Sequence, residues 1–219
     1  MEGTTAVVVI GGLAPDRRLS SILVRPTIVV AADAGLHHAI DLGLRVNAVV
    51  GDMDSVDHAI LTGAELNGVE VVRSPRDKDL TDTELALRHA ASCGATRITV
   101  VTGGGGRLDH QLGVIASLAH RDLAECTIDA WWDTAHINVL HGPARIDVAG
   151  RAGEVLGLHA FGGDARGVTT TGLKWNVTDE TFAPHSTRGV SNELNEVRAS
   201  ISLANGTLIV TRPHALENT

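Results

Sequence analysis

Three short words between Gly51 and His110 hold the residue types that polyphosphate chemistry needs. They read Gly51-Asp52-Met53-Asp54-Ser55, Asp77-Lys78-Asp79-Leu80-Thr81-Asp82-Thr83-Glu84 and Gly103-Gly104-Gly105-Gly106-Arg107-Leu108-Asp109-His110. Each follows an apolar run that reads as a strand. Carboxylates hold magnesium, Lys and Arg balance phosphate charge, and a backbone without side chains permits close approach.

Each word also has a plainer reading. Asp52 and Asp54 lie two apart, which on an extended chain puts both side chains on one face, where a cation would join them. The alternative is a polar turn with Ser55 or Asp57 capping the next helix. Thr81 and Glu84 fit a capping box, and Asp82 suits a first helical turn. Lys78 opposes a helix dipole at that end, so it needs an anionic partner, either the flanking aspartates or a phosphate. Four glycines before Arg107 imply backbone lying close to something, and Arg107 can fork onto phosphate. Asp109 equally suits the N-cap of the helix that follows. No Gly-Lys-Ser/Thr follows the glycines, and Leu108 stands where a dinucleotide-binding GxGxxG pattern needs its third glycine.

Farther along, Thr170-Thr171-Gly172-Leu173-Lys174-Trp175 and Gly189-Val190-Ser191-Asn192-Glu193 stand out. An isolated Trp is usually core, but in an acidic chain an exposed one can stack on a flat cationic ring. The eleven histidines form no zinc-binding spacing, and no GxSxG elbow is present.

The elements that position these words come in two styles. Apolar, β-rich runs at 6–10, 27–31, 48–50, 69–72, 97–101 and 127–131 alternate with helical patterns at 36–42, 57–66, 82–93 and 110–123. That alternation predicts an α/β domain with a mostly parallel sheet, whose ligands sit beyond the carboxyl ends of the strands. From about residue 136 helical periodicity fades. Strand-like runs at 144–148, 155–160, 167–171, 197–203 and 207–211 predict a small antiparallel β domain. Asn205-Gly206 reads as the type I′ turn of a hairpin between the last two. We set the boundary at 137/138, within the stretch 134–142.

The chain has 219 residues, 43% of them apolar, and a formal net charge of -8. No Lys/Arg cluster offers a nucleic-acid face. No apolar stretch reaches membrane-spanning length, and no leader pattern opens the chain. Cys93 and Cys126, far apart, suit free thiols in a reducing compartment better than a disulfide. The expectation is a cytoplasmic protein.

These words, with Ala32-Asp33-Ala34-Gly35, resemble the thiamine pyrophosphokinase family in order and spacing over nearly the whole chain. The resemblance implies an N-terminal α/β domain and a C-terminal β-sandwich, working as a homodimer. It implies transfer of the pyrophosphoryl group of ATP to the thiamine hydroxyl, with magnesium, releasing AMP. Asp52, Asp54 and Asp82 then match the metal-holding carboxylates. Asp33, Gly35, Lys78, Asp79, Thr81, Gly106, Arg107 and His110 match the ATP side. Asp54, Asp82, Arg107 and Asp109 fall at the reacting centre, with Asp54 or Asp82 preferred to orient or deprotonate the hydroxyl. Trp175, Ser191 and Asn192 match the thiamine side, presented across the dimer interface. Two positions depart from the family pattern: Met53 replaces an aromatic, and Ala34 replaces a glycine, which matters only if that position needs positive φ. Two other classes compete. An aspartate-nucleophile phosphohydrolase would use Asp52, and a nucleotide-binding protein of this fold would lack turnover.

Overall fold

The computed structural model describes residues 3–23 and 25–218. The chain forms two compact units, Met1–Asp133 and Thr134–Thr219. The expected boundary at 137/138 falls inside a strand, Ala135–His141.

The first unit alternates strands β1 (Thr4–Val9), β2 (Ile28–Ala32), β3 (Ala48–Gly51), β4 (Glu70–Arg73), β5 (Ala95–Thr102) and β6 (Thr127–Trp132) with helices. The helices are α1 (Leu19–Ile22), α2 (Gly35–Asp41), α3 (His58–Leu66), α4 (Asp82–Ser92) and α5 (Leu108–Leu118). The strands run in the order β6-β5-β1-β2-β3-β4, and every pairing among them is parallel. Ala6 to Ile10 and Ala48 to Gly51 are buried at every position. Side chains on both faces are therefore covered, which is why these strands read as continuous apolar runs. β4 at the edge is the least covered, with no residue buried and Glu70 and Arg73 exposed. Chain order reverses at β1, which lies between β2 and β5. Reversals of this kind place a crevice at the carboxyl ends of the strands.

Local chemistry sets the helix starts. Asp57 caps α3 by accepting from the Ala59 and Ile60 amides. Thr81 caps α4 by accepting from Glu84 N, but the Glu84 carboxylate turns to Arg88 instead of closing the box. Arg107, not Asp109, is the N-cap residue of α5.

The second unit contains β7 (Ala135–His141), β8 (Ala144–Ala149), β9 (Val155–Ala160), β10 (Ala165–Thr171), β11 (Glu180–Phe182), β12 (Asn192–Glu193), β13 (Arg198–Leu203) and β14 (Thr207–Arg212). Strands β12-β9-β14-β7 are neighbours, and β11-β10-β13-β8 make a separate sheet. Pairings are antiparallel in both. Leu156, Leu158, Leu208 and Val210 from one group pack with Val168, Ile201 and Leu203 from the other in a single apolar core. This is a β-sandwich. The expected hairpin at Asn205-Gly206 does not form. Gly206 has positive φ as a turn residue should, yet β13 pairs with β8 and β10 while β14 pairs with β7 and β9. The turn carries the chain from one layer to the other.

No helix among the described residues is long and apolar enough to cross a membrane. Cys93 and Cys126 are both free, the first exposed.

Candidate active site

A cleft of about 410 Å³ opens at the β1/β5 reversal, lined by residues of the first unit. The glycine run forms one wall. Gly104, Gly105 and Gly106 all have φ near +70 to +80, a region that costs other L residues free energy. Space is short at two of them: a Cβ on Gly104 would strike the Trp132 indole and one on Gly105 would press on the exposed Leu13 side chain, whereas one on Gly106 would meet nothing. Leu13 N donates to Gly104 O at 2.8 Å, and the Thr102 hydroxyl donates to Gly11 O at 3.1 Å. These bonds lace the β5 loop to the β1 loop and hold the crevice in shape.

Three carboxylates converge at the other wall, where Asp33 and Asp82 line the cleft and Asp52 adjoins them. Oxygens of Asp33, Asp52 and Asp82 lie within 4.8 Å of one another, although the residues come from the ends of β2 and β3 and the start of α4. Asp33 sits at φ 46, and its Oδ1 is buried without a hydrogen-bond partner. Burial, then the charges of Asp82 and Asp52, hold its carboxyl above the ordinary range, against the Ser55 hydroxyl beside it. The hydrogen bond from the Asp54 amide, at 3.0 Å, and then the Lys78 charge hold Asp52 below the ordinary range. Lys78 Nζ reaches Asp82 at 3.0 Å and Asp52 at 3.6 Å. Burial works against its ammonium, but the two carboxylates outweigh that and raise its pKa. Lys78 thus finds its anionic partner in Asp52 and Asp82, not in the flanking Asp77 and Asp79.

Asp54 is not in this trio. Met53 at φ 65 turns the chain between the two aspartates, so they do not share the face that an extended segment would give them. Asp54 Oδ1 accepts from the Ser55 hydroxyl at 2.9 Å, and its Oδ2 meets Arg76 at 3.0 Å. Met53 itself is buried among Ala31, Leu36 and Val49, filling apolar space. Ala34 has φ -56, so no glycine is needed there; the positive φ falls on Asp33. Gly35 is required by contact, because a Cβ would run into the Val9 carbonyl.

Of the residues expected on the ATP side, Asp33, Lys78, Thr81, Gly106, Arg107 and His110 line the cleft, together with Asp82, and Gly35 does not. Asp79 is exposed and outside the lining. Arg107 forks onto Asp109 through Nε at 3.1 Å and Nη2 at 2.6 Å, and that contact holds the Asp109 carboxyl down at about 2. Arg76, Ser55 and Trp132 also line the cleft. Ser55 entered the sequence reading only as a helix cap. Arg76 adjoins the Asp77 word but lies outside it, and Trp132 is one residue past the expected strand end.

The second unit presents a separate surface. Trp175 is 55% exposed, with the Lys174 ammonium 4.6 Å from its ring centroid and Glu193 3.0 Å from that ammonium. The ring therefore already carries a cation on its face, the position a cationic heterocycle would take. Asn192 is buried. Its Oδ1 accepts from the Trp175 and Glu193 amides, and its Nδ2 donates to Trp175 O at 2.9 Å. Ser191 is exposed with φ 61.

Comparison with known proteins agrees with this division. The profile of the family described as "Thiamin pyrophosphokinase, catalytic domain" matches residues 19–128. That of "Thiamin pyrophosphokinase, vitamin B1 binding domain" matches residues 143–208. A thiamine pyrophosphokinase of Bacillus subtilis is 28% identical over 212 residues, covering 95% of this chain and 98% of the relative. The crystal structure of a Bacillus subtilis thiamine pyrophosphokinase superposes with a TM-score of 0.81 at 26% identity, covering 95% of this chain and 98% of that one. A Geobacillus thermodenitrificans structure shares the fold, with a TM-score of 0.78 at 24% identity over 95% and 97% of the two chains. With the catalytic profile on the unit that holds the carboxylate cleft and the vitamin profile on the unit that presents Trp175, the chain belongs to the thiamin pyrophosphokinase family.

Proposed function

We infer that this protein makes thiamine diphosphate and AMP from thiamine and ATP by moving a pyrophosphoryl group. The observation that carries the reading is the union of the Asp33, Asp52 and Asp82 oxygens with Lys78 beside a glycine-walled cleft, inside the part of the chain that matches the catalytic family. An acidic cluster with a buried, unsatisfied oxygen and all-oxygen donors fits a hard divalent cation. The metal set we propose is Asp52 and Asp82 with Asp33 in the place expected for Asp54. Magnesium held there supplies positive charge to the phosphate oxygens.

The chain's own groups account for the remaining requirements of phosphoryl-type transfer, which are positioning and charge compensation. Lys78 and Arg107 offset negative charge on the transferred and leaving phosphates. The glycine wall lets the polyphosphate lie against backbone. Asp54, outside the trio, is left to orient the thiamine hydroxyl and take its proton as oxygen bonds to the β-phosphorus. The bond from that phosphorus to the α-phosphate oxygen breaks, and AMP leaves. Trp175 stacks on the cationic ring of thiamine, which replaces the Lys174 ammonium, and Asn192 positions Trp175. The phosphohydrolase alternative gains nothing here, since Asp52 sits at the end of β3, away from the reversal, tied to Lys78 and Asp54 N.

Homodimer formation belongs to the proposal. Leu13, Leu108 and Leu112 are 62%, 70% and 62% exposed in and beside the loops of the cleft, which supports a partner surface there. Free thiols suit a reducing, cytoplasmic setting. The test is incubation with thiamine, ATP and magnesium, following AMP and thiamine diphosphate by chromatography with a magnesium-free control. Equal, magnesium-dependent amounts of both products are expected. ADP with thiamine monophosphate would refute pyrophosphoryl transfer.

A further inference from the structure

One cation in the cleft differs from the other two. Lys78 is pinned between carboxylates with its side chain 15% exposed, and Arg107 is forked onto Asp109. Arg76 also lines the cleft, but its side chain is 80% exposed. Among the described residues its one partner is Asp54, through Nη2 to Oδ2 at 3.0 Å. A guanidinium has five N–H donors in a rigid fork, so most of Arg76's bonding capacity is spent on water. An exposed ion pair of this kind contributes little stability. Exchanging Asp54 for a phosphate therefore forfeits little, while a phosphate accepts the fork two-pronged and carries more charge.

The position decides which phosphates Arg76 meets. Arg76 touches Asp54, the Asp54 amide bonds Asp52, and Asp52 meets Lys78 beside Asp33 and Asp82. Arg76 thus belongs to the carboxylate end of the cleft, where the transferred phosphates lie in the reading above. Resting on that reading, we propose that Arg76 is a specificity-determining residue. It leaves Asp54 to grip the β- and γ-phosphates, and so sets the preference of the cleft for a nucleoside triphosphate over the monophosphate product. The same exchange frees Asp54 only when the donor nucleotide is in place.

The test is calorimetric titration of the full chain with ATP and with AMP, each with magnesium, for the wild type, R76A and R76K. Arg76 is exposed enough to truncate without disturbing the core. R76A is expected to bind ATP about ten- to a hundred-fold more weakly, the range for lost bonds to a charged group, with AMP affinity within about twofold of wild type. R76K is expected to fall between, because lysine is a point charge without the fork. Equal losses for ATP and AMP, or none for either, would overturn the proposal. If the wild type binds ATP and makes both products while R76A binds ATP normally, the role of Arg76 alone fails. If the wild type binds no ATP, the reading beneath it fails too.

Discussion

Replacing Asn192 with alanine tests whether the thiamine platform is held from behind. Asn192 is 7% exposed, and its amide is spent on backbone groups at Trp175 and Glu193. It makes three hydrogen bonds: from Trp175 N at 3.2 Å, from Glu193 N at 2.9 Å, and to Trp175 O at 2.9 Å. Truncation removes all three and leaves backbone groups without partners. At about 1 kcal/mol each net, with a further penalty for whatever stays dry, the loss is about 2–4 kcal/mol. For a chain of this size each kcal/mol lowers the melting temperature by about 2–4 °C, so a drop of roughly 5–15 °C is expected. The functional effect should be selective. Trp175 loses its fixed orientation, so KM for thiamine rises at least about tenfold, the equivalent of 1.4 kcal/mol, while KM for ATP holds. A double-mutant cycle separates a positioning role from a direct one. If Asn192 acts through Trp175, the N192A/W175A double variant is no worse for thiamine than W175A alone. An unchanged melt with an unchanged thiamine KM would refute the reasoning, as would fully additive losses in the double variant.

Two further outcomes follow from charge placement. Asp33→Asn keeps a residue type that tolerates positive φ and removes one of three crowded carboxylates. Without metal it should melt no lower than wild type, yet lose both the magnesium-induced rise in melting temperature and product formation; a retained rise would exclude Asp33 from the metal set. In the second unit Arg212 holds Glu154 through Nε at 2.8 Å and Nη2 at 2.6 Å, with the Glu154 side chain 2% exposed. Arg212→Met should cost about 3–5 kcal/mol in urea unfolding by stranding a buried charge, and E154L/R212M should recover most of it. A single variant within about 1 kcal/mol of wild type would mean the pair is not buried in solution.

The strands of the first unit were legible because burial on both faces leaves continuous apolar runs, and the glycine run was legible because three consecutive positive φ angles admit little else. Strand β7 was missed because His136, Asn138 and His141 interrupt its apolar residues. Strands β11 and β12, of three and two residues, are too short to have a period. Asn205-Gly206 illustrates a different limit. Gly206 takes the positive φ that such a turn needs, but Asn205 does not and bridges to Arg166 instead, and turn residues do not specify which strands then become neighbours. The carboxylate site combines both limits. Placing Asp52 and Asp54 on one face assumed an extended segment, and a single residue in the left-handed region, Met53, undoes it. Asp33 takes the vacated place because parallel pairing sets β2 beside β3, a closure between residues far apart in sequence that no local pattern records. Spacing along the chain therefore picks out the residue types that gather at the cleft. Strand order in the sheet decides which of them converge, as Asp33, Asp52 and Asp82 do, and which, like Asp54 with Arg76, are held to one side.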